Sequence, residues 1–363
     1  MTDERRVPTV PVDWDAAGTL AARIVRPGPR GDRAELTELV ASLRAAGEDA
    51  AGHIAEITAL EPADGLGVTQ VPLAQVLVVD RASWARANAE IFSHLVPGPL
   101  RAERPSPAGY AGATQVAGVL ALLSGKVLGQ FDPFSSPGPR GRLLLVAPNI
   151  LAVEREMEAD SADFRLWVAL HEQTHALQFA AAPWLADHLR ARAERLLELT
   201  KGQGEDGVPE RFADLVERVT GVLRDALRDG GAPLDSGPAL AGVLGREQAE
   251  VVKEVGAVMA LLEGHADVTM DAVGPRVVPS VASIRARFDA RRGAVGSPLQ
   301  RILRRLLGLD AKLAQYREGA AFVRAVEKEA GRNAINAVFS GPDSLPSARE
   351  IADPRAWVRR VLG

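Results

Sequence analysis

Apolar residues recur at helical spacing along most of the chain, and short breaks rich in proline and glycine separate these segments. Leu36, Leu39 and Leu43 illustrate the pattern, because positions three and four apart share one face of a helix. The predicted helices cover residues 34–60, 83–95, 164–180, 184–199, 210–227, 247–268 and 311–329. The chain is therefore expected to be mainly helical.

A few short apolar runs predict strands in the first half of the chain. They cover residues 76–79, 127–131 and 143–146. The last two flank a loop rich in proline and glycine, so they are expected to pair as a hairpin. We find neither a repeat of fixed period nor a segment with the composition of a flexible linker. The sequence thus predicts an α+β fold, mainly α with a small β-sheet, as one compact unit over residues 1–363. The sheet would lie in residues 1–150 and the helices of the candidate site in residues 160–330.

Composition narrows the possible settings and partners. Apolar residues make up 47% of the chain and charged residues 25%, as in ordinary globular proteins. The 43 basic and 47 acidic residues nearly balance, which argues against a nucleic-acid or anionic-membrane partner. Residues 1–12 hold no apolar run that could act as a signal peptide, and the longest apolar stretch, residues 116–123, is far shorter than a membrane span. We therefore expect a cytoplasmic protein.

The pattern H-E-x-x-H is the main chemical signal of the chain. It spans His171, Glu172 and His175 within an apolar segment that is predicted to be helical. Positions four apart lie one turn apart on the same helix face, so the two imidazoles can bind one tetrahedral Zn²⁺ with Glu172 beside its open coordination position. Because cysteine is absent, any metal must be held by histidine, aspartate or glutamate. The alternative interpretation is a helix that carries two unrelated histidines.

Two histidines leave a catalytic zinc site incomplete, since three protein ligands are usual. A histidine six residues after His175 would complete the long form of the motif, but that position is Ala181. His188 could fold back as a ligand, although its spacing does not require this. Glu263 is the preferred third ligand, because the six residues before it are apolar and a buried carboxylate needs a partner or a metal. An ordinary solvated carboxylate is the alternative.

Further candidates surround Glu263 in the sequence. Asp267 lies one helical turn later, where it could accept the free ring N–H of His171 and fix the tautomer of that ligand. His265 projects to another side of the helix, so it would either contact substrate or be a satisfied core histidine. Gly264 costs about 1 kcal/mol in a helix relative to alanine. A close approach of the two site helices, or a nearby helix end, would explain this glycine.

Two features could support substrate binding. Tyr316, in a predicted helix with polar neighbours, is the preferred hydrogen-bond donor to an oxyanion, and its alternative role is to anchor that helix. The strand at residues 143–146 is a candidate sheet edge, at which a peptide could add as a further strand. Since its residues are apolar, a strand that is simply buried is the alternative.

Several segments together resemble one known family. Residues 171–179 and 263–267, with residues 183–185 and 270–275 after them, look like the zincin-like metallopeptidase family of high-GC Gram-positive bacteria. Its members are often labelled as hydrolases or as proteins associated with deazaflavin-coenzyme biosynthesis. The resemblance extends to residues 12–15, 128–134, 281–292 and 315–323. It implies a mainly helical zincin-like fold and a zinc site of the gluzincin type, in which E-x-x-x-D follows H-E-x-x-H.

Two functions are compatible with these observations. The first is a zinc-dependent hydrolase, namely a metallopeptidase with a peptide or protein substrate, in which Glu172 acts as general base toward zinc-activated water. The second is a non-catalytic zinc-binding scaffold or partner protein. Glu172 favours the enzyme, because a structural zinc needs no general base.

Overall fold

A computed structural model describes the following residues: 12–95, 106–135, 140–201, 246–295 and 315–363. Most of them are helical, and a small sheet lies in the first half, which confirms the fold class predicted from the hydrophobic pattern. The predicted helix at residues 210–227 lies outside the described residues. Within the described part of the chain, no helix combines the length and the apolar character needed to cross a membrane.

The first half of the chain alternates helices with the strands of the sheet. Its longest helix begins after the N-cap Asp32, whose carboxylate accepts a hydrogen bond of 2.8 Å from the backbone N–H of Glu35. The elements are α1 (Trp14–Ile24), α2 (Arg33–Thr58), β1 (Gln75–Val79), α3 (Arg81–Leu95), α4 (Pro107–Ser124), β2 (Gly129–Asp132) and β3 (Arg142–Val146).

The second half consists of helices in its described part. The helix that carries the H-E-x-x-H pattern begins after Asp160, which caps it by accepting from the backbone N–H of Asp163 at 3.0 Å. The elements are α5 (Ala147–Glu156), α6 (Ser161–Ala181), α7 (Trp184–Lys201), α8 (Arg246–Ala272), α9 (Val281–Val295), α10 (Gln315–Ala330), the 3₁₀ helices Arg332–Phe339 and Pro342–Ser344, α11 (Ala348–Ala352) and α12 (Pro354–Val361).

The three described strands form one sheet with β3 in its centre. β1 pairs with β3 in parallel, and β2 pairs with β3 in antiparallel register, with Gln130 opposite Leu144. The predicted hairpin is therefore confirmed. The prediction that residues 143–146 form a sheet edge is wrong, because this apolar strand is buried between two neighbours. The edge beside α6 is β2.

Side chains of β3 point alternately to the two faces of the sheet, and each face packs on its own hydrophobic cluster. Leu143 and Leu145 belong to the main core, which they share with α2 and α6. Leu144 and Val146 belong to a smaller cluster built with α1, α3 and α4, in which Trp84 is the largest side chain. The sheet thus separates a small N-terminal helical layer from the layer that carries the H-E-x-x-H helix.

Two glycines allow α8 and α10 to touch through their backbones. A Cβ atom on Gly264 would lie 2.2 Å from the carbonyl carbon of Gly319, and one on Gly319 would lie 2.0 Å from the backbone oxygen of Ala260. The close approach predicted for Gly264 therefore exists, but its partner is α10. The prediction that Gly264 serves the contact between the two site helices, α6 and α8, is wrong.

Candidate metal centre

Three candidate ligands converge where α6 faces α8. The Nε2 atom of His171 lies 3.9 Å from one carboxylate oxygen of Glu263, and the Nε2 atom of His175 lies 3.8 Å from the other. The two imidazole rings are 4.9 Å apart and nearly perpendicular, at 88°. One potential donor atom from each residue lies within 4.8 Å of the others. The helical spacing of four residues brings the two histidines together, and α8 supplies the carboxylate.

This set of side chains fits a single zinc ion. Two nitrogens and one carboxylate oxygen are donors that Zn²⁺ accepts, with bonds of about 2.0–2.2 Å. Separations of 3.8 and 3.9 Å between donors can be spanned by two such bonds. The side chains of His171, His175 and Glu263 are 22%, 14% and 28% exposed, so the cluster opens toward solvent on one side. A fourth position would therefore remain for water or substrate.

Glu172 lies beside this cluster and is almost fully buried, with 8% of its surface exposed. Burial raises the pKa of its carboxyl group to about 8, and the negative charge of Glu263 adds to this effect. In the metal-free protein the group is therefore protonated at neutral pH, whereas a nearby cation favours the ionised form.

The edge strand β2 passes directly over Glu172. A Cβ atom on Gly129 would lie 2.5 Å from Cγ and 2.8 Å from Cδ of Glu172. Only a residue without a side chain allows this approach between strand and carboxyl group. The sheet edge and the candidate general base are therefore direct neighbours.

Gln178 is a site residue that the sequence analysis did not predict. It is fully buried, and its Oε1 atom lies 2.9 Å from Nδ1 of His175. Its Nε2 atom donates to the backbone carbonyl of Leu262 at 3.0 Å, immediately before Glu263. The available signal was its position three residues after His175, which places both side chains on one face of the helix. A neutral amide carries no distinctive chemistry, so this signal is weak.

His265 is enclosed in the core and is 4% exposed. Its Nδ1 atom lies 3.0 Å from Nε2 of Gln178, and its ring packs on Phe339 at 5.6 Å. Burial lowers the pKa of His265 to about 4, and the neighbouring His175 contributes to this shift. The structure therefore supports the satisfied core histidine. The other role considered for His265, a contact to substrate, stays a prediction.

Asp267 takes part in an ion-pair network that joins α8 to α9 and α10. Its Oδ1 atom lies 3.0 Å from Arg285, and Arg324 lies 3.9 Å from its other oxygen. The same two arginines also pair with Asp271, one turn further along α8. The role of Asp267 in orienting His171 stays a prediction.

Two further candidates, His188 and Tyr316, are not part of the described cluster of ligands. His188 is on α7, where the centroid of its ring lies 6.0 Å from that of Trp184. Burial lowers the pKa of His188, and the positive charge of Arg192 lowers it further. Among the described residues, the group that could hold a metal contains His171, His175 and Glu263 but not His188. Tyr316 falls in the first turn of α10, and its side chain lies outside the described part of the structure.

Comparisons with known proteins identify the family of this chain. The model of a family described as zincin-like metallopeptidases matches residues 12–358. A crystal structure from Chloroflexus aurantiacus, described as a "putative hydrolase with a novel fold", is 30% identical in sequence. The match covers 96% of this chain and 98% of that one, with a TM-score of 0.62. Comparison with curated proteins gives no significant match. The chain thus belongs to the zincin-like metallopeptidase family.

Proposed function

We propose that this protein is a zinc-dependent peptidase. His171, His175 and Glu263 hold the zinc ion, and Glu172 is the general base. The observation that carries the proposal is the convergence of two imidazoles and a carboxylate, from two helices, within 4.8 Å of one another beside a buried glutamate. Membership of a metallopeptidase family supports it.

The chemistry follows from the placement of these residues. A bound zinc ion supplies a Lewis acid for a carbonyl group and lowers the pKa of water in its open position. Glu172 takes the proton from the attacking water and returns it to the leaving amine. Its burial keeps bulk water away from this proton transfer. Tyr316 remains the proposed donor to the oxyanion.

The substrate we propose is a peptide bound in extended form along β2. Backbone groups at a sheet edge can pair with an added strand. β2 forms the edge that faces α6, and its residue Gly129 touches Glu172. A peptide paired there would therefore run past the general base. The balanced charge of the chain gives no reason to propose a nucleic-acid substrate.

The substitution Glu172→Gln tests this function. It is nearly isosteric, so zinc should stay bound, but the proton acceptor is lost. We expect metal-dependent cleavage of a peptide library by the wild type, abolished by chelator and restored by zinc. Cleavage by Glu172→Gln should be slower by about 10²–10⁴-fold.

The matched control is Glu254→Gln, which removes a carboxylate on the same helix as Glu263 that pairs with Arg192 near the surface. This variant should cleave like the wild type. Equal, chelator-sensitive cleavage by wild type and Glu172→Gln would refute the role of Glu172. Zinc binding without cleavage by either protein would instead indicate the non-catalytic scaffold.

A further inference from the structure

Gln178 joins the two helices that carry the candidate ligands. It stands on α6, three residues after His175, and its amide reaches the backbone of α8 at Leu262. The side chain is fully buried, so each of its polar atoms must be satisfied by protein groups. The identity of these groups determines where the hydrogen atoms lie.

The carbonyl of Leu262 fixes the orientation of the amide. A backbone carbonyl oxygen can only accept a hydrogen bond. The Gln178 atom that lies 3.0 Å from it must therefore be the NH₂ nitrogen, because the opposite orientation would place two acceptors against each other. The Oε1 atom of Gln178 consequently faces His175.

The orientation of the amide then fixes the tautomer of His175. An amide oxygen accepts only, so Nδ1 of His175, at 2.9 Å, must carry a hydrogen. A neutral imidazole carries one ring hydrogen, which leaves the lone pair on Nε2. This is the nitrogen that lies 3.8 Å from Glu263 in the candidate metal centre. The ring is thus arranged to offer Nε2 to a metal.

The second amide hydrogen of Gln178 accounts for His265. The Nδ1 atom of His265 lies 3.0 Å from the same NH₂ group, so it accepts and its ring hydrogen lies on Nε2. The two histidines therefore hold opposite tautomers around one amide. All three polar contacts of Gln178 are satisfied only in this arrangement.

We propose that Gln178 is a positioning residue. Its amide oxygen holds His175 in the metal-binding tautomer, and its NH₂ group bonds to the backbone carbonyl of Leu262, next to Glu263. The proposal rests on the proposed zinc site, because it assigns a role to a neighbour of one ligand. Ligand histidines generally depend on such a partner for their orientation and basicity, and its loss typically weakens metal binding or activity by roughly 10- to 100-fold.

The test compares Gln178→Met with a matched control, Gln173→Met. Gln173 is 2% exposed on the same helix and donates to the backbone oxygen of Gly47 at 2.6 Å, away from the ligands. Both variants lose a buried amide that bonds a backbone carbonyl, so both should lower the free energy of unfolding of the metal-free protein. Only Gln178→Met should weaken zinc binding, by roughly 10- to 100-fold in competition with a chelator of known affinity.

The variant Gln178→Glu separates the two functions of the amide. Its carboxylate still accepts from Nδ1 of His175 but donates nothing to Leu262. We expect its zinc affinity to stay within a few-fold of the wild type, while its unfolding free energy falls. A loss of zinc affinity as large as in Gln178→Met would mean that only the structural link to α8 matters.

The histidine tautomers of the metal-free wild type test the proposed role of Gln178 even if a variant fails to fold. The chain has six histidines, so selective ¹⁵N labelling allows their tautomers to be read by NMR above neutral pH. We expect His175 with its hydrogen on Nδ1 and His265 with its hydrogen on Nε2. The reverse tautomer at His175, or equal zinc loss in Gln173→Met and Gln178→Met, would overturn the proposal. Absence of zinc binding by the wild type would refute the proposed function, whereas the tautomer of His175 would still test Gln178.

Discussion

At the scale of single residues, the candidate site follows from two sequence features. These are the spacing of two histidines along one helix and the apolar residues that precede Glu263. His171 and His175 were predicted to share a face, and Glu263 was selected because the residues before it are apolar. The structure brings these three side chains together. Gln178 could not be predicted from the sequence in this way, because its role depends on a hydrogen bond to Leu262, which lies 84 residues away along the chain. Sequence spacing reveals contacts along one helix better than contacts between two helices.

The role of Glu263 leads to a prediction about zinc stoichiometry. We expect one zinc ion per chain in the wild type and a loss of tight zinc binding in Glu263→Ala, because two imidazoles alone leave the ion with too few protein ligands. Elemental analysis of protein purified without a metal-binding tag measures this. Glu254→Ala, on the same helix, should keep its zinc. Full zinc occupancy with unchanged affinity in Glu263→Ala would show that Glu263 is not a ligand and would favour His188 as the third ligand.

At the scale of elements, apolar residues at helical spacing made the longer helices α2, α6 and α8 predictable. These three helices were predicted to within a few residues, since α2 and α8 each carry an apolar face and α6 is buried on most of its sides. The sequence analysis did not predict α1, α4, α5, α9, α11 and α12. α4 was not predicted, because Gly109, Gly112 and Gly118 interrupt its pattern and its first turn falls in a break rich in proline and glycine. The order of the strands was also missed. This order depends on which elements pack against β3, and the residues of the strand itself do not reveal contacts with distant segments of the chain.

The contact between α8 and α10 gives a prediction at this scale. Gly264→Ala should lower the free energy of unfolding by about 1–3 kcal/mol, because its Cβ would collide with the backbone of Gly319. Gly256→Ala is the matched control on the same helix, since a Cβ there meets nothing within 4 Å. It should raise stability by about 0.5–1 kcal/mol, the usual gain when alanine replaces glycine in a helix. Denaturant unfolding of the two variants measures both effects. Equal changes in the two variants would mean that the helices can separate without cost.

At the scale of the whole molecule, the candidate ligands link parts that are distant in the chain. His175 and Glu263 stand on helices separated by a long intervening sequence, so a metal that binds both stabilises the folded state over the unfolded one. The helical fold class was predictable from the spacing of apolar residues. Family membership was predictable because the segments that carry the resemblance extend over most of the chain. The packing between distant helices was not, as the wrong partner predicted for Gly264 shows.

Metal removal should therefore lower global stability. With free zinc at 1,000 times its dissociation constant, binding adds about 4 kcal/mol to the free energy of unfolding. Thermal unfolding of the wild type with zinc and with chelator should show this difference as a lower Tm after chelation. In Glu263→Ala the two conditions should give nearly the same Tm. An unchanged Tm in the wild type would show that the cluster does not hold a metal that tightly.

The close approach of Gly129 to Glu172 also has a consequence for relatives of this protein. Since even one methyl group on the strand would occupy the space of the glutamate side chain, the two positions cannot vary independently. A relative that carries any side chain at the position of Gly129 must either displace its strand or place its proton acceptor elsewhere. The glycine, which has no chemistry of its own, therefore indicates which relatives can keep the strand and the glutamate in this arrangement.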